Sequence, residues 1–206
     1  TLFTNNLHGN RVNNDLLVPR KSNYVGNHAA DFLMAHDPWF RGLQIKYGPD
    51  GGVFVSDWHD FGECHDSDGS HRTTGRIYKV TYGIPTPRSI DLQAQTSDQL
   101  AQLHQHKNEW IVRHARRILH ERALRGDDLR QARKRLRRQF QTRGDSVTQL
   151  RALWTLSLVA DLDESQLVEI LDHPNEHLRR WAVRLLVDHH PPSKGTVAAM
   201  ARLAHS

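Results

Sequence analysis

Residues 48–58 have the sequence GPDGGVFVSDW, and residues 75–80 have the sequence GRIYKV. Both stretches are rich in β-branched and aromatic residues, which predicts two β-strands. The glycines and the proline of residues 48–52 favour a tight turn before the first strand, because glycine permits positive φ and proline fixes φ. The stretch therefore indicates a β-domain in the first part of the chain.

Other short segments of this part also predict strands, namely residues 2–4, 12–18 and 43–47. Residues 29–35 predict a short helical turn ahead of Pro38. Short antiparallel strands at this spacing are typical of a sandwich, a barrel or a propeller.

The periodicity becomes helical in the second part of the chain. Pro85 and Pro87 lack a backbone donor, so a domain boundary is expected there. Residues 84–104 are predicted to be a linker, with a short helix over 97–103 that Ser97 caps. Apolar residues at helical spacing then predict six helices, over residues 108–123, 127–141, 146–160, 164–172, 175–187 and 193–204. The predicted domains are 1–83 and 105–206.

A weak internal repeat runs through the helical part. Residues 151–154 (RALW) and 180–184 (RWAVR) each place an arginine near the start of an apolar helix face. Such pairs of recurring helices are typical of a HEAT-like solenoid. Trp154 and Trp181 are expected to lie in its core.

Charge differs between the two parts. Residues 1–83 carry 8 Lys/Arg and 9 Asp/Glu, a net charge of −1, whereas residues 84–206 carry 20 and 14, a net charge of +6. The cations of residues 130–138 point in several directions around their helix and have no interleaved aromatic residues. This pattern favours a solvated helix that contacts an acidic partner over a nucleic-acid-binding helix.

Several classes of site and segment are excluded. The single cysteine, Cys64, cannot form an internal disulfide or a zinc site of several thiolates, and Cys64-His65 is only half of the Cys-x-x-Cys-His motif of c-type haem. The sequence contains no run of eighteen apolar residues, so it predicts no transmembrane helix. Because the chain starts at Thr1 in strand-like sequence and stops at Ser206 within a repeat, we expect a piece of a longer protein.

The stretches 48–58 and 75–80 resemble the last blade of a six-bladed β-propeller of the glucose/sorbosone dehydrogenase type. Together with NLHGNR at residues 6–11 and the repeats at 151–154 and 180–184, they make the chain similar to planctomycete-type membrane-bound dehydrogenases. Those proteins join the propeller to HEAT-like repeats and usually to a cytochrome c domain. The resemblance implies a β + α fold, with the C-terminal blade or blades of a propeller followed by an α-helical HEAT-like solenoid.

The resemblance also implies a function. The chain would be a fragment of an extracytoplasmic, quinoprotein-like sugar or alcohol dehydrogenase, periplasmic or extracellular and membrane-associated in full length. The full-length protein would use pyrroloquinoline quinone (PQQ) and Ca²⁺, and the repeats would act as a spacer or contact a cytochrome c domain or another protein. The alternative is a non-catalytic propeller/HEAT scaffold that binds a protein or a polysaccharide.

The loop between the two strands holds the candidate site residues. Residues 57–71 contain four Asp, one Glu, three His and the single Cys, and the resemblance places this loop near the substrate. An imidazole is suited to accept the proton of an alcohol, and carboxylates are suited to hold Ca²⁺ or, with histidines, a transition metal. The candidates are His59, His65 and His71 for catalysis, and Asp57, Asp60, Asp66 and Asp68 for a metal.

A structural loop explains the same residues equally well. Asp57 would then cap backbone N–H groups, and residues 66–70 would form a surface turn. Candidate substrate or cofactor contacts are His8, Asn10 and Arg11, with Arg72 in the loop itself. Arg11 is suited to bind a carboxylate with two hydrogen bonds, and the alternative for residues 8–11 is an ordinary hairpin turn.

Overall fold

The computed structural model describes residues 1–20, 23–62, 71, 73–84, 90–142, 144–159, 162–188 and 191–204. The chain divides into two compact units, Thr1–Ser89 and Ile90–Ser206. The first unit contains two antiparallel sheets and the second contains the helices, so the predicted combination of β and α structure is confirmed. Within these described ranges, no helix has both the length and the apolar character needed to cross a bilayer.

The first sheet is organised around one long strand. It comprises β1 (Leu2–Asn6), β2 (Arg11–Arg20), β3 (Asn23–His28) and β4 (Leu33–Met34), and β2 pairs antiparallel with the other three. The β1 pairing ends at Asp15, so the second half of β2 is paired with β3 on one side only. Pro19 lies in that half, where its missing N–H is tolerated.

Two features of this sheet differ from the prediction. The strand β3 was not predicted, because its sequence NYVGNH is dominated by turn-forming residues, and pairing with β2 overrides that local preference. Residues 29–35 do not form the predicted helical turn. Instead, the N–H groups of Ala29 and Phe32 donate to Asn14 O and Val12 O, which holds this segment along the edge of β2.

The second sheet is a meander of three consecutive strands, β5 (Gly42–Tyr47), β6 (Val53–Asp57) and β7 (Arg76–Val80). These strands confirm the predictions for this region. Gly51 has a φ of +83° in the turn before β6, where its N–H donates to Gly48 O over 3.1 Å. Asp50 accepts from Gly52 N and pairs with Lys79, which fixes the turn against β7.

The core of the strand unit is small. Its fully buried apolar side chains are Val12, Phe40 and Val55. In contrast, the ribbon formed by β2 and β3 exposes much of its apolar surface, including Leu16, Leu17, Val18, Tyr24 and Val25. This unit therefore leaves an extended apolar strand surface uncovered in the described part of the chain.

The second unit contains seven described helices and one 3₁₀ turn. The helices are α1 (Ser97–Gln102), α2 (Glu109–Leu124), α3 (Arg130–Gln141), α4 (Ser146–Leu158), α5 (Glu164–Ile170), α6 (Glu176–Asp188) and α7 (Lys194–Leu203), and the 3₁₀ turn is Leu103–Gln105. The six helices predicted between residues 108 and 204 are confirmed, and each of their ends lies within a few residues of the predicted position. The helix α1 is capped by Thr96, whose side chain accepts from Gln99 N, and not by the predicted Ser97.

The helical unit begins earlier than predicted. Leu92, Leu100 and Ala101 are buried in its core together with residues of α2, α3 and α4. The second half of the predicted linker is therefore part of the packed unit, because its apolar side chains cover the end of α2 and α3. Apolar residues three or four positions apart give only a weak helical periodicity in so short a segment, so the sequence did not predict this packing.

The helices pack in two rows. The first row contains α2, α4 and α6, in which α4 contacts both α2 and α6. The second row contains α1 with α3 and α5 with α7. It lies against the first row through the pairs α1–α2, α3–α4 and α5–α6. Two apolar clusters fill the space between the rows, and Phe140 and Leu162 pack against both clusters. The core therefore continues along the whole described unit.

A buried arginine connects three elements of this unit. Arg151 of α4 pairs with Glu109 of α2, with Nε 2.5 Å from Oε1. Its Nη1 donates to the carbonyl oxygens of His104 (2.9 Å) and His106 (3.1 Å) at the 3₁₀ turn. Two backbone carbonyls thus depend on one guanidinium group.

We expect Arg151→Met to destabilise the helical unit by about 2–3 kcal/mol, because it leaves the two carbonyls and Glu109 without their donor. The measurement is urea unfolding followed by helical circular dichroism. The matched control is Arg117→Met, which removes an exposed arginine whose ion pair among the described residues is with Glu121 on the same helix. It should change the free energy of unfolding by less than about 0.5 kcal/mol. Equal effects of the two variants would contradict this role of Arg151.

His104 is a fully buried imidazole at the same junction. Its Nδ1 lies 3.2 Å from Leu100 O and its Nε2 lies 2.6 Å from Thr155 Oγ1. A carbonyl oxygen can only accept, so Nδ1 carries the proton of the neutral ring. Nε2 faces the Thr155 hydroxyl group, which also lies within hydrogen-bond distance of Arg151 O (2.9 Å). Burial lowers the pKa of His104 to about 4, so the ring is neutral in the folded protein.

The lowered pKa makes stability depend on pH. Between pH 6.5 and about 4 the unfolded chain binds a proton at His104 that the folded chain does not, so the free energy of unfolding falls as the pH is lowered through this window. We expect a loss of about 3 kcal/mol from this group, measured by urea unfolding at pH 7 and at pH 4.5. His104→Leu should flatten the dependence, whereas the control His120→Gln should keep it. An unchanged slope in His104→Leu would contradict the assignment.

Candidate functional site

The loop that leaves β6 is fixed by a buried carboxylate. Asp57 ends β6 and is almost fully buried, and its Oδ1 accepts from the N–H groups of Arg41 (2.7 Å) and His59 (2.9 Å). This geometry corresponds to the capping alternative considered for Asp57. Its Oδ2 is buried and has no hydrogen-bond partner among the described residues.

Arg41 fixes the facing segment in the same way. Its guanidinium group donates to the carbonyl oxygens of Pro38 (2.7 Å), Phe40 (3.0 Å) and Phe61 (3.0 Å). The bonds to Pro38 and Phe40 fix residues 38–41, and the bond to Phe61 joins this segment to the residue after Asp60. The two segments therefore form one wall of the site.

His59 is held in a left-handed backbone conformation, with a φ of +52°. Its N–H donates to Asp57, its carbonyl oxygen accepts from Thr74 Oγ1 (2.8 Å), and its Nε2 lies 3.2 Å from Asp37 Oδ2. The N–H of Trp39 holds the pKa of Asp37 below its usual value, against the opposing effect of desolvation. The remaining ring nitrogen of His59, Nδ1, is buried and has no partner in the described part of the chain.

His71 is paired with a carboxylate and remains accessible. Its Nδ1 lies 3.3 Å from Asp60 Oδ1, and its backbone N–H donates to Asp60 Oδ2 over 3.2 Å. Burial raises the pKa of Asp60, but the donors from His71, Trp58 and Gly62 outweigh that effect and hold the pKa below its usual value. Asp60 is therefore ionised and orients a ring whose side chain is 41% exposed, with Nε2 directed away from this pair.

Three aromatic side chains lie near the His71–Asp60 pair. Trp39 packs against the His71 ring with centroids 4.6 Å apart and contacts Phe61 edge-on at 6.3 Å. Trp58 donates from Nε1 to Asp60 Oδ2 over 3.2 Å. Trp58 and Phe61 are 56% and 69% exposed. We call His71 with Trp39, Trp58 and Phe61 the His71 surface, and it combines a proton acceptor with an exposed apolar platform.

An open cavity of about 280 Å³ lies beside Asp37. Its polar lining is Asp37, Arg76 and Tyr78, and its apolar lining includes Leu33 and Phe40. Arg76 lies 3.6 Å from Asp37 and donates to the Tyr78 hydroxyl over 2.9 Å. The hydrogen bond to Tyr78 raises the pKa of Arg76 above its ordinary value. The Asp37 carboxylate is thus shared between this cavity and His59.

The predicted contacts of the first hairpin have structural partners. Asn10 has a φ of +49°, and its Nδ2 donates to Pro38 O (3.0 Å) and Phe40 O (2.8 Å), so it braces the wall that carries Asp37. Arg11 donates to Asn13 Oδ1 over 3.1 Å and lies 3.6 Å from Asp31. His8 is exposed in the turn between β1 and β2. His65, Asp66, Asp68 and Arg72 lie outside the described residues.

The described side chains do not form the ligand set expected for Ca²⁺. One oxygen of Asp57 and both oxygens of Asp60 accept hydrogen bonds from the protein. Within the described ranges, no three His, Cys, Asp or Glu side chains are arranged to hold a metal ion, whereas Ca²⁺ takes six to eight oxygen ligands. Asp57 and Asp60, the described members of the predicted metal set, therefore do not form a Ca²⁺ site by themselves.

Several residues of the site were missed in the sequence. Asp37 and Trp39 lie in the segment DPWFR at residues 37–41, which was passed over as a loop before β5. The Asp-Pro-Trp combination is an available signal, because Asp37 accepts from Trp39 N over 2.9 Å in a local turn. The pairing of His59 with a residue 22 positions earlier has no signal in the local sequence.

Comparison with known proteins gives one match. Residues 1–83 match the model of a family described as "Domain of unknown function (DUF7133)". Neither the curated proteins nor the solved structures gave a match to the chain. The strand unit that carries the candidate site is therefore similar to a family whose description names no activity.

Proposed function

We propose that the chain is part of an extracytoplasmic sugar or alcohol dehydrogenase, in which His71 is the proton acceptor. In this proposal β5, β6 and β7 belong to the last blade of a six-bladed propeller, and α1 to α7 form a HEAT-like solenoid. The consecutive order of the three strands and the two rows of helices support this arrangement. The uncovered apolar surface of β2 and β3 supports the presence of further blades.

The observation that carries the proposed activity is the pairing of His71 with Asp60. An ionised carboxylate at Nδ1 keeps the proton on that nitrogen, so Nε2 offers its lone pair to a hydroxyl group. The neighbouring Trp39, Trp58 and Phe61 provide the apolar surface on which the ring of a sugar can rest. His71 would take the hydroxyl proton, and Asp60 would stabilise the imidazolium ion. A quinone cofactor bound by the full-length protein would supply the two-electron oxidant that accepts the hydride of the substrate.

His59 has a different part in this proposal. Its free Nδ1 is buried, so it cannot reach a substrate in this conformation. Its bond to Asp37 instead positions the segment that carries Trp39. Of the two described histidines of the loop, we therefore assign proton transfer to His71 and treat His59 as a positioning residue.

We expect His71→Gln to lower kcat for sugar oxidation by the full-length protein about 100-fold, because a general base contributes about 10²–10⁴-fold. Asp60→Asn should lower kcat about tenfold and leave KM nearly unchanged. The measurement is reduction of a redox dye as a function of pH, and the acidic limb of the profile should disappear in His71→Gln. His28→Gln is the matched control, since His28 is an exposed histidine paired with Asp15 and Asp31 in the other sheet. Dye reduction that survives His71→Gln would contradict the assignment.

A polysaccharide-binding scaffold is the second candidate, and the exposure of Trp58 and Phe61 favours it. Both functions predict that Trp58→Ala and Phe61→Ala weaken oligosaccharide binding, while Tyr24→Ala, an exposed aromatic control on β3, does not. Binding measured by tryptophan fluorescence together with dye reduction supports the dehydrogenase. Binding without reduction of any dye by the full-length wild-type protein supports the scaffold.

A further inference from the structure

Two neighbouring tryptophans, with an arginine at each end, cross the row of helices α2, α4 and α6. The guanidinium group of Arg116 lies over the Trp154 ring, 5.0 Å from its centroid. Trp154 contacts Trp181 edge-on at 5.0 Å, and Arg184 lies over Trp181 at 5.2 Å. We call these four side chains the Arg–Trp ladder. Both tryptophans are partly exposed, and Trp181 also packs against the second apolar cluster, so the ladder lies where the core meets the surface.

The α2 end of the ladder contains buried donors without acceptors. Nε and Nη2 of Arg116 and Nε1 of Trp154 are all inaccessible to solvent, and none has a hydrogen-bond partner among the described residues. These three atoms are closed to a ligand in this conformation, so Arg116 would contribute through its positive charge, which favours an anionic partner.

The α6 end of the ladder is an open cavity of about 260 Å³, lined by His177, Arg180, Trp181 and Arg184. Arg180 is exposed and makes no ion pair or hydrogen bond within the described part of the chain. The nearby carboxylates are weakly engaged, with Asp188 3.7 Å from Arg184 and Glu176 3.8 Å from His177. This end is therefore rich in cations that are available to a ligand.

We propose that the Arg–Trp ladder is the docking surface for an acidic polypeptide segment. Carboxylate side chains of the segment would pair with Arg180 and Arg184 in the open cavity, and the positive charge of Arg116 would attract the segment to the other end. The exposed parts of the two indoles would contact the aliphatic portions of the segment. Arginine and tryptophan are the residue types that contribute most to such interfaces, and the net charge of +6 on residues 84–206 adds long-range attraction.

The same geometry argues against a nucleic acid as the occupant. Each indole already has one face covered by a guanidinium group, whereas binding of single strands relies on open aromatic faces for base stacking.

The test is a titration of the chain with a fluorescein-labelled peptide of alternating Glu and Gly at physiological ionic strength. We expect saturable binding that R180A/R184A weakens at least tenfold. Arg180 and Arg184 are exposed, so this variant should keep the helical circular dichroism and unfolding midpoint of the wild type.

The matched control is K134A/R138A, which removes the same charge from exposed positions of α3, outside the row that carries the ladder. It should change the affinity by less than about twofold. An equal loss in the control would show that only net charge attracts the peptide, and would overturn the proposal. No saturable binding of the peptide, equal binding of its Gln counterpart, or tighter binding of a single-stranded oligonucleotide of matched charge would also overturn it.

Discussion

The need to pair every buried charge with specific donors or acceptors organises both units. Asp57 is buried in the strand unit and uses one carboxylate oxygen to bind the N–H groups of Arg41 and His59. Arg151 is buried in the helical unit and binds two backbone carbonyls and Glu109. Removing such a group leaves several polar atoms unpaired at once, so each one fixes the course of segments that are distant in sequence.

The candidate site of the strand unit follows from this constraint. Asp57 and Arg41 hold the two loop segments, and the fixed loops then place Asp60 against His71 and Asp37 against His59. The two histidines differ in access, since the free nitrogen of His59 is buried while the His71 ring is exposed. The His59–Asp37 pair thus stabilises the fold of the loops, and the His71–Asp60 pair presents a base beside the exposed aromatic side chains.

Sequence patterns identified the strands β5, β6 and β7 and the helices from α2 onward, because turn residues and apolar periodicity are local signals. These patterns did not predict β3, whose polar sequence becomes a strand only through pairing with β2. They also did not predict that residues 90–104 belong to the helical unit, because the few apolar side chains of this segment show their role only in the packed core. His71 and Asp60 were found as reactive residue types. The hydrogen bond between them was not predicted, because the contact of two residues eleven positions apart depends on the path of the loop.

By itself, the sequence determined the division into a β part and an α part, the residue types of the loop after β6, and the charge difference between the two units. Tertiary structure decided which carboxylate meets which histidine. It also decided that Trp154 and Trp181 form the Arg–Trp ladder with Arg116 and Arg184, although these residues belong to three helices. The physical reason is that periodicity and composition act over a few residues, whereas pairing of side chains depends on register, loop path and helix packing.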